Sequence, residues 1–199
     1  MNEIVGEAAQ WFIRDKGFPS SAIGDWTADV MRARMKTDVA LTNKTGLRAN
    51  IAKGPIRLRD LYVVSPFGND LVTLTLKGSE LRAELEYSLS DTRFALEGSG
   101  LTLRYDGERP VGERIIRLEI GGEPLDPERL YTVTTNSFLA KGGDGHRWLA
   151  ARRDRVRHKI QLLDLQVEDV RRRKVLAPDP EARIAPAGTT MPVAKELPR

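Results

Sequence analysis

"DVALTNKTGLRANI", running from Asp38 to Ile51, begins as one kind of structure and ends as another. Val39-Ala40-Leu41 is the apolar start of a strand leaving a core, which predicts a strand over 38–42. Asn43 then meets Lys44, Thr45 and Gly46, a turn signal, and Arg48 follows at once. An arginine just past a glycine turn can present its planar fork to a phosphate. The Asn43 amide offers a donor and an acceptor to the edge of a polar ligand. A surface turn fits the same letters, with Arg48 in a salt bridge and Asn43 as a turn residue.

Two other loops share this character. "LYTVTTNSFLAKGGDG", from Leu130 to Gly145, repeats the theme: a strand, an Asn at its end (Asn136), a short run, then two glycines. It adds Phe138 beside the strand end and Asp144 between glycines. An Asp held on such a turn can accept two hydroxyl hydrogen bonds, as a ribose diol requires; it could equally cap a helix starting near His146. In "SPFGND", Phe67 lies between Pro66 and Gly68. There it is either a plug for the core edge or a stacking platform for a flat aromatic ligand. Two loop aromatics, one diol-seeking Asp and one phosphate-seeking Arg together suit a nucleotide. The conjunction is more specific than any of its parts.

The 199 residues fit one domain, or one domain with a tail, and 40% hydrophobic residues are enough for a real core. The net charge of +4 comes from 32 basic against 28 acidic residues, a mild excess that does not demand nucleic acid. With no cysteine, a disulfide framework and a Cys-based metal site are excluded. Only His146 and His158 are present, so a His-rich dimetal centre cannot be built from this chain alone. No apolar run approaches the ~18–20 residues of a membrane span, and the acidic, charged N-terminus is not a secretory signal peptide.

Periodicity predicts helices over 2–16 and in "GDWTADVMRARM", with Asp25 as N-cap, and another from Ser79. Residues 56–64 read as a short helix or a turn. Strands are predicted at 71–76, 100–105, 114–120 and 131–135. Residues 146–174 read as helix-rich and basic, with "HRWLAARRDRVRHK" as a solvated helix face and "RRRK" (171–174) suiting a helix C-terminus. Prolines gather from Ala177 onward, and 185–199 read as a flexible tail.

Taken in order, "GDWTADVMR", "DVALTNKTGLRANI", "GPIRLRDLYVVSPFGNDLVTLTLKGSEL", "RPVGERI" and "YTVTTNSFLAKGGDG" resemble the C-terminal domain of the 5'-nucleotidase family over roughly residues 3–184. The resemblance implies an α+β fold of mixed small sheets with packed helices, forming a substrate-binding domain over 1–184. Phe67 and Phe138 would sandwich the nucleobase, Asp144 would bind the ribose hydroxyls, Asn43 would touch the base and Arg48 would contact phosphate. It further implies a partner domain on the N-terminal side, a metallophosphoesterase with two divalent metal ions whose bound water is the nucleophile. No cofactor is expected in this chain, which would be inactive by itself, and the full-length protein would be extracytoplasmic. A free-standing nucleotide or nucleoside module, or an interaction module with a degenerate pocket, stays open as the alternative.

The chain departs from the family pattern in two places. Lys44 and Thr45 replace two glycines of N-G-G-G-I-R. Upstream, Pro19 and Ser20 stand where Arg and Glu are common, and Asp25 replaces an Asn. With an upstream arginine gone, Arg48 is expected to be the main phosphate contact of its loop, helped by Lys44.

Overall fold

The segment Val39–Asn43 is buried along its whole length, and its alternation divides two cores. Ala40 packs into one apolar cluster, Val39 and Leu41 into the other, as successive strand side chains must point to opposite faces. The computed structural model describes residues 1–188. Its strands are β1 (Ile4–Ala8), β2 (Val39–Asn43), β3 (Gly54–Arg57), β4 (Asp70–Lys77), β5 (Leu96–Ser99), β6 (Leu101–Tyr105), β7 (Ile115–Ile120), β8 (Glu123–Pro124), β9 (Leu130–Asn136), β10 (Val156–Gln161), β11 (Val175–Leu176) and β12 (Ile184–Pro186). The α-helices are α1 (Ala22–Met35), α2 (Leu58–Val64), α3 (Gly78–Ser88), α4 (Arg147–Ala150) and α5 (Leu162–Arg173).

These form three sheets, ordered β11-β1-β3, β10-β4-β9-β2-β5 and β12-β6-β7-β8. The fold is α+β, with small mixed sheets and packed helices. One cluster joins the helices α1, α2 and α5 to the first sheet through Trp26, Met31, Leu61, Val170 and Ile56. The other lies between the five-stranded sheet, α3 and the third sheet, with Leu74, Leu81, Leu85, Leu103 and Leu118.

The direction of three strands brings the three loops together. β2 and β9 are parallel neighbours, so both end at the same sheet edge, at Asn43 and Asn136. β4 runs antiparallel to β9, pairing Leu71 with Asn136, so it starts at that edge, just after the Phe67 loop. Segments far apart in sequence thus open onto one end of the sheet.

The helix expected over 2–16 does not form. Ile4–Ala8 is a strand between β11 and β3, and Phe12 bridges to Ile51. Buried Val5, Ala8 and Phe12 supply the apolar spacing that reads as helical, but they are anchored by sheet partners. Gly6 permits this: a Cβ there would lie 2.5 Å from Val170 Cγ1 on α5. Ser21, not Asp25, caps α1, accepting from the Gly24 amide at 3.2 Å; Asp25 sits buried in the first turn. The basic run is not a helix face either. After the single turn α4, Val156–Gln161 is the edge strand of the five-stranded sheet, paired with β4. Charged side chains on an edge strand discourage pairing with another chain. The "RRRK" segment does close a helix, α5. The expected tail over 185–199 is in part a strand: Ile184–Pro186 pairs with β6, and 189–199 lie outside the described residues.

Candidate functional site

At the shared sheet edge a cleft of about 420 Å³ is lined by Asn43, Thr45, Gly46, Arg48, Phe67, Asn69 and Phe138. Phe67 is 58% exposed and Phe138 40%. Neither ring plugs the core, and both line the cleft. Gly143 makes room for one of them, because a Cβ at that position would lie 2.4 Å from the Phe138 ring.

A chain of hydrogen bonds ties the loops together. Asn136 Oδ1 accepts from the amides of Phe138 (3.1 Å) and Leu139 (3.0 Å), which fixes the turn carrying Phe138. Asn136 Nδ2 donates to Asn43 Oδ1 at 2.9 Å and to Thr42 Oγ1 at 3.1 Å. Asn43 Nδ2 donates to Thr45 Oγ1 at 2.6 Å, and Thr45 Oγ1 donates to Asp144 Oδ2 at 2.9 Å. The two asparagines are buried, so the bond between them is shielded from water, and each bond of the network raises the cost of moving its neighbours.

Asp144 occupies the left-handed backbone region, φ 54° and ψ 18°, a conformation uncommon outside glycine. Tyr87 holds it there, its hydroxyl donating to the Asp144 carbonyl at 3.0 Å while its ring stacks on Phe94. Asp144 caps no helix: His146 precedes α4 and no side chain caps that turn. His146 is buried against the Glu84 carboxylate beneath the loop.

Arg48 is exposed and donates to the Thr45 carbonyl at 3.2 Å, with its guanidinium 6.0 Å from the Phe67 ring centre. Among the described residues no carboxylate pairs with it. Beside it, Arg14 donates to the Arg48 carbonyl at 3.0 Å, and its Nε is buried without a partner. Burial, and then the Arg48 charge, hold the Arg14 guanidinium below its ordinary value. Two neighbouring cations without an acid between them favour an anion at this end of the cleft.

Lys44 does not help there. Its side chain is 5% exposed and turns away from the cleft to pair with Glu97 at 3.4 Å and to donate to the Pro19 carbonyl. The two departures noted in the sequence, at Lys44 and Pro19, are thus in contact with each other. Glu97 also accepts from the Ser21 amide at 3.0 Å, at the start of α1. Burial raises the Glu97 carboxyl above its ordinary value, against the pull of Lys44. Burial, then the charge of Glu97, push Asp25 well above the usual carboxylate range.

Of the five residues read as a site, Asn43, Arg48, Phe67 and Phe138 line one cleft, and Asp144 reaches it through Thr45. Asn69, Thr45 and Asn136 complete the arrangement. All three lie in stretches already conspicuous in the sequence, Asn69 two residues after Phe67. Arg14 carries no sequence signal; it arrives through the bridge between Phe12 and Ile51. Among the described residues no group of three or more His, Cys, Asp and Glu could hold a metal ion. No helix there is long and apolar enough to cross a membrane.

The profile of the family described as "5'-nucleotidase, C-terminal domain" matches residues 4–151, and the chain belongs to that family. The 5'-nucleotidase precursor of Thermus thermophilus has a similar structure, with a TM-score of 0.88 and 34% identity over 95% of this chain and 40% of that one. Endonuclease YhcR of Bacillus subtilis is 36% identical over 143 residues, 70% of this chain and 12% of that protein. NAD 5'-nucleotidase of Haemophilus influenzae is 34% identical over 137 residues, 60% of this chain and 22% of that protein. The chain spans less than a third of the length of these two relatives.

Proposed function

We propose that this domain is the substrate-holding half of a 5'-nucleotidase-like hydrolase that cleaves nucleotide phosphoesters. The base lies between Phe67 and Phe138, with Asn43 and Asn69 at its edge. Asp144 takes the sugar, and Arg48, with Arg14 behind it, takes the phosphate. The observation that carries this reading is two half-exposed aromatic rings on separate loops, lining one cleft with an arginine that has no carboxylate partner among the described residues. Each stacked face contributes on the order of 1–3 kcal/mol.

This chain's own work is binding and orientation. Holding a substrate in a reactive pose can supply a large part of a rate enhancement. Among the described residues no group fits a metal site; on this reading the hydrolytic step falls to a metallophosphoesterase domain on the N-terminal side of the whole protein, carrying two divalent ions. An extracytoplasmic whole protein accords with the resemblance. Calorimetric titration of the chain with adenosine and with AMP tests the reading. Saturable binding that Phe67→Ala weakens is expected, and no binding of either ligand would overturn it.

A further inference from the structure

Thr45 stands where the family pattern has a glycine, and it changes what Asp144 can offer. Its hydroxyl has one hydrogen, and that hydrogen goes to Asp144 Oδ2 at 2.9 Å. Its oxygen meanwhile accepts from Asn43 Nδ2 at 2.6 Å, so the direction of both bonds is set. Thr45 lines the cleft and Asp144 meets it at the Thr45 hydroxyl, so the threonine borders the carboxylate on the cleft side. Among the described residues Asp144 Oδ1 has no such donor. A diol grips a carboxylate best when each hydroxyl has an oxygen to itself. Here Oδ2 already accepts the Thr45 hydroxyl, so it has one acceptor site fewer for a sugar than Oδ1.

We propose that Thr45 is a specificity-determining residue that reduces the sugar contact to one hydroxyl, so that the cleft accepts nucleosides and nucleotides lacking one of the two ribose hydroxyls, deoxynucleotides among them. This rests on the reading of the cleft as a nucleoside site. The loop cannot yield easily, because Asp144 is fixed by Tyr87 from behind and Asn43 by Asn136 from the side.

The test compares affinities for adenosine, 2'-deoxyadenosine and 3'-deoxyadenosine in the full chain and in Thr45→Gly and Thr45→Ser. The base is the same in all three ligands, so a change in the Asn43 contact cancels in the ratios. In the parent protein and in Thr45→Ser, one of the deoxynucleosides should bind within about threefold of adenosine. In Thr45→Gly its penalty should rise to about tenfold, because a hydroxyl bonded to a carboxylate is worth that much. Melting curves confirm that the glycine variant is folded. A tenfold penalty for both deoxynucleosides in the parent, or ratios unmoved by Thr45→Gly, would overturn the proposal. If no nucleoside binds either protein, the cleft reading itself fails, and the proposal with it.

Discussion

Lys44 and Arg48 leave the same short turn and do opposite things. Lys44 goes inward, where it is almost wholly buried beside Glu97, the Pro19 carbonyl and the start of α1. Arg48 goes outward, exposed over the Phe67 ring, with a backbone carbonyl as its only protein acceptor among the described residues. A buried ammonium requires a partner because the cost of desolvating it is several kcal/mol. An exposed guanidinium requires none and remains available. The difference separates a charge held inside the fold from one left open to the cleft, four residues apart. The aromatic residues divide in the same way: Phe12 is enclosed against Trp26, while Phe67 and Phe138 stay open.

The largest expected effect is on the inner side. Lys44→Met strips Glu97 of its cation while both positions stay buried, and should lower stability by about 3–5 kcal/mol in urea unfolding. Adding Glu97→Gln should recover much of that loss. A single variant as stable as the parent would mean that the pair is not a structural element.

On the outer side, Phe67→Ala and Phe138→Ala should each weaken nucleoside binding by roughly 1–3 kcal/mol. Phe67→Ala should scarcely move the melting temperature, since its ring is mostly in water. A drop in stability of the size expected for Lys44→Met would place that ring in the core and erase the contrast.

Asp25 sharpens the comparison through pH. Its carboxyl is raised by burial and by Glu97, so its proton leaves at a higher pH in the native protein than in the unfolded chain. Such a group contributes stability below its unfolded value, and that stability is lost as pH rises through the native value. Asp25→Asn has no proton to lose. It should raise the melting temperature near neutral pH by a few degrees, about what 1 kcal/mol gives in a chain of this size, and flatten the decline that sets in as pH rises above the unfolded carboxylate value of about 4. Melting curves across that range check both, and an unchanged slope would refute the assignment.

Most strands of the central sheet were legible because β-branched and leucine residues alternate there: Leu71 to Leu76 and Tyr131 to Thr135 carry the pattern plainly. The cleft residues were legible from loop chemistry and from family resemblance together. What failed was direction and partnership. Val5, Ala8 and Phe12 have helical spacing, yet their partners are strands distant in sequence, which no local window contains. Lys44 reads as a cleft cation because it adjoins Asn43; only the fold reveals Glu97 on the other side. Thr45 is visible as a departure, but its bond to Asp144 spans 99 positions.

On the proposed reading of the cleft, Arg48 serves the ligand and Lys44 the fold. The ratio of AMP to adenosine affinity tests it most directly, measured by calorimetry in the parent, in Arg48→Ala and in Lys44→Met at a temperature where all are folded. Arg48→Ala should weaken AMP about tenfold, or 1.4 kcal/mol, leaving adenosine and the melting temperature nearly unchanged. Lys44→Met should lower the melting temperature and leave the ratio as it is. Equal loss of both ligands in Arg48→Ala, or a collapsed ratio in Lys44→Met, would contradict the claim.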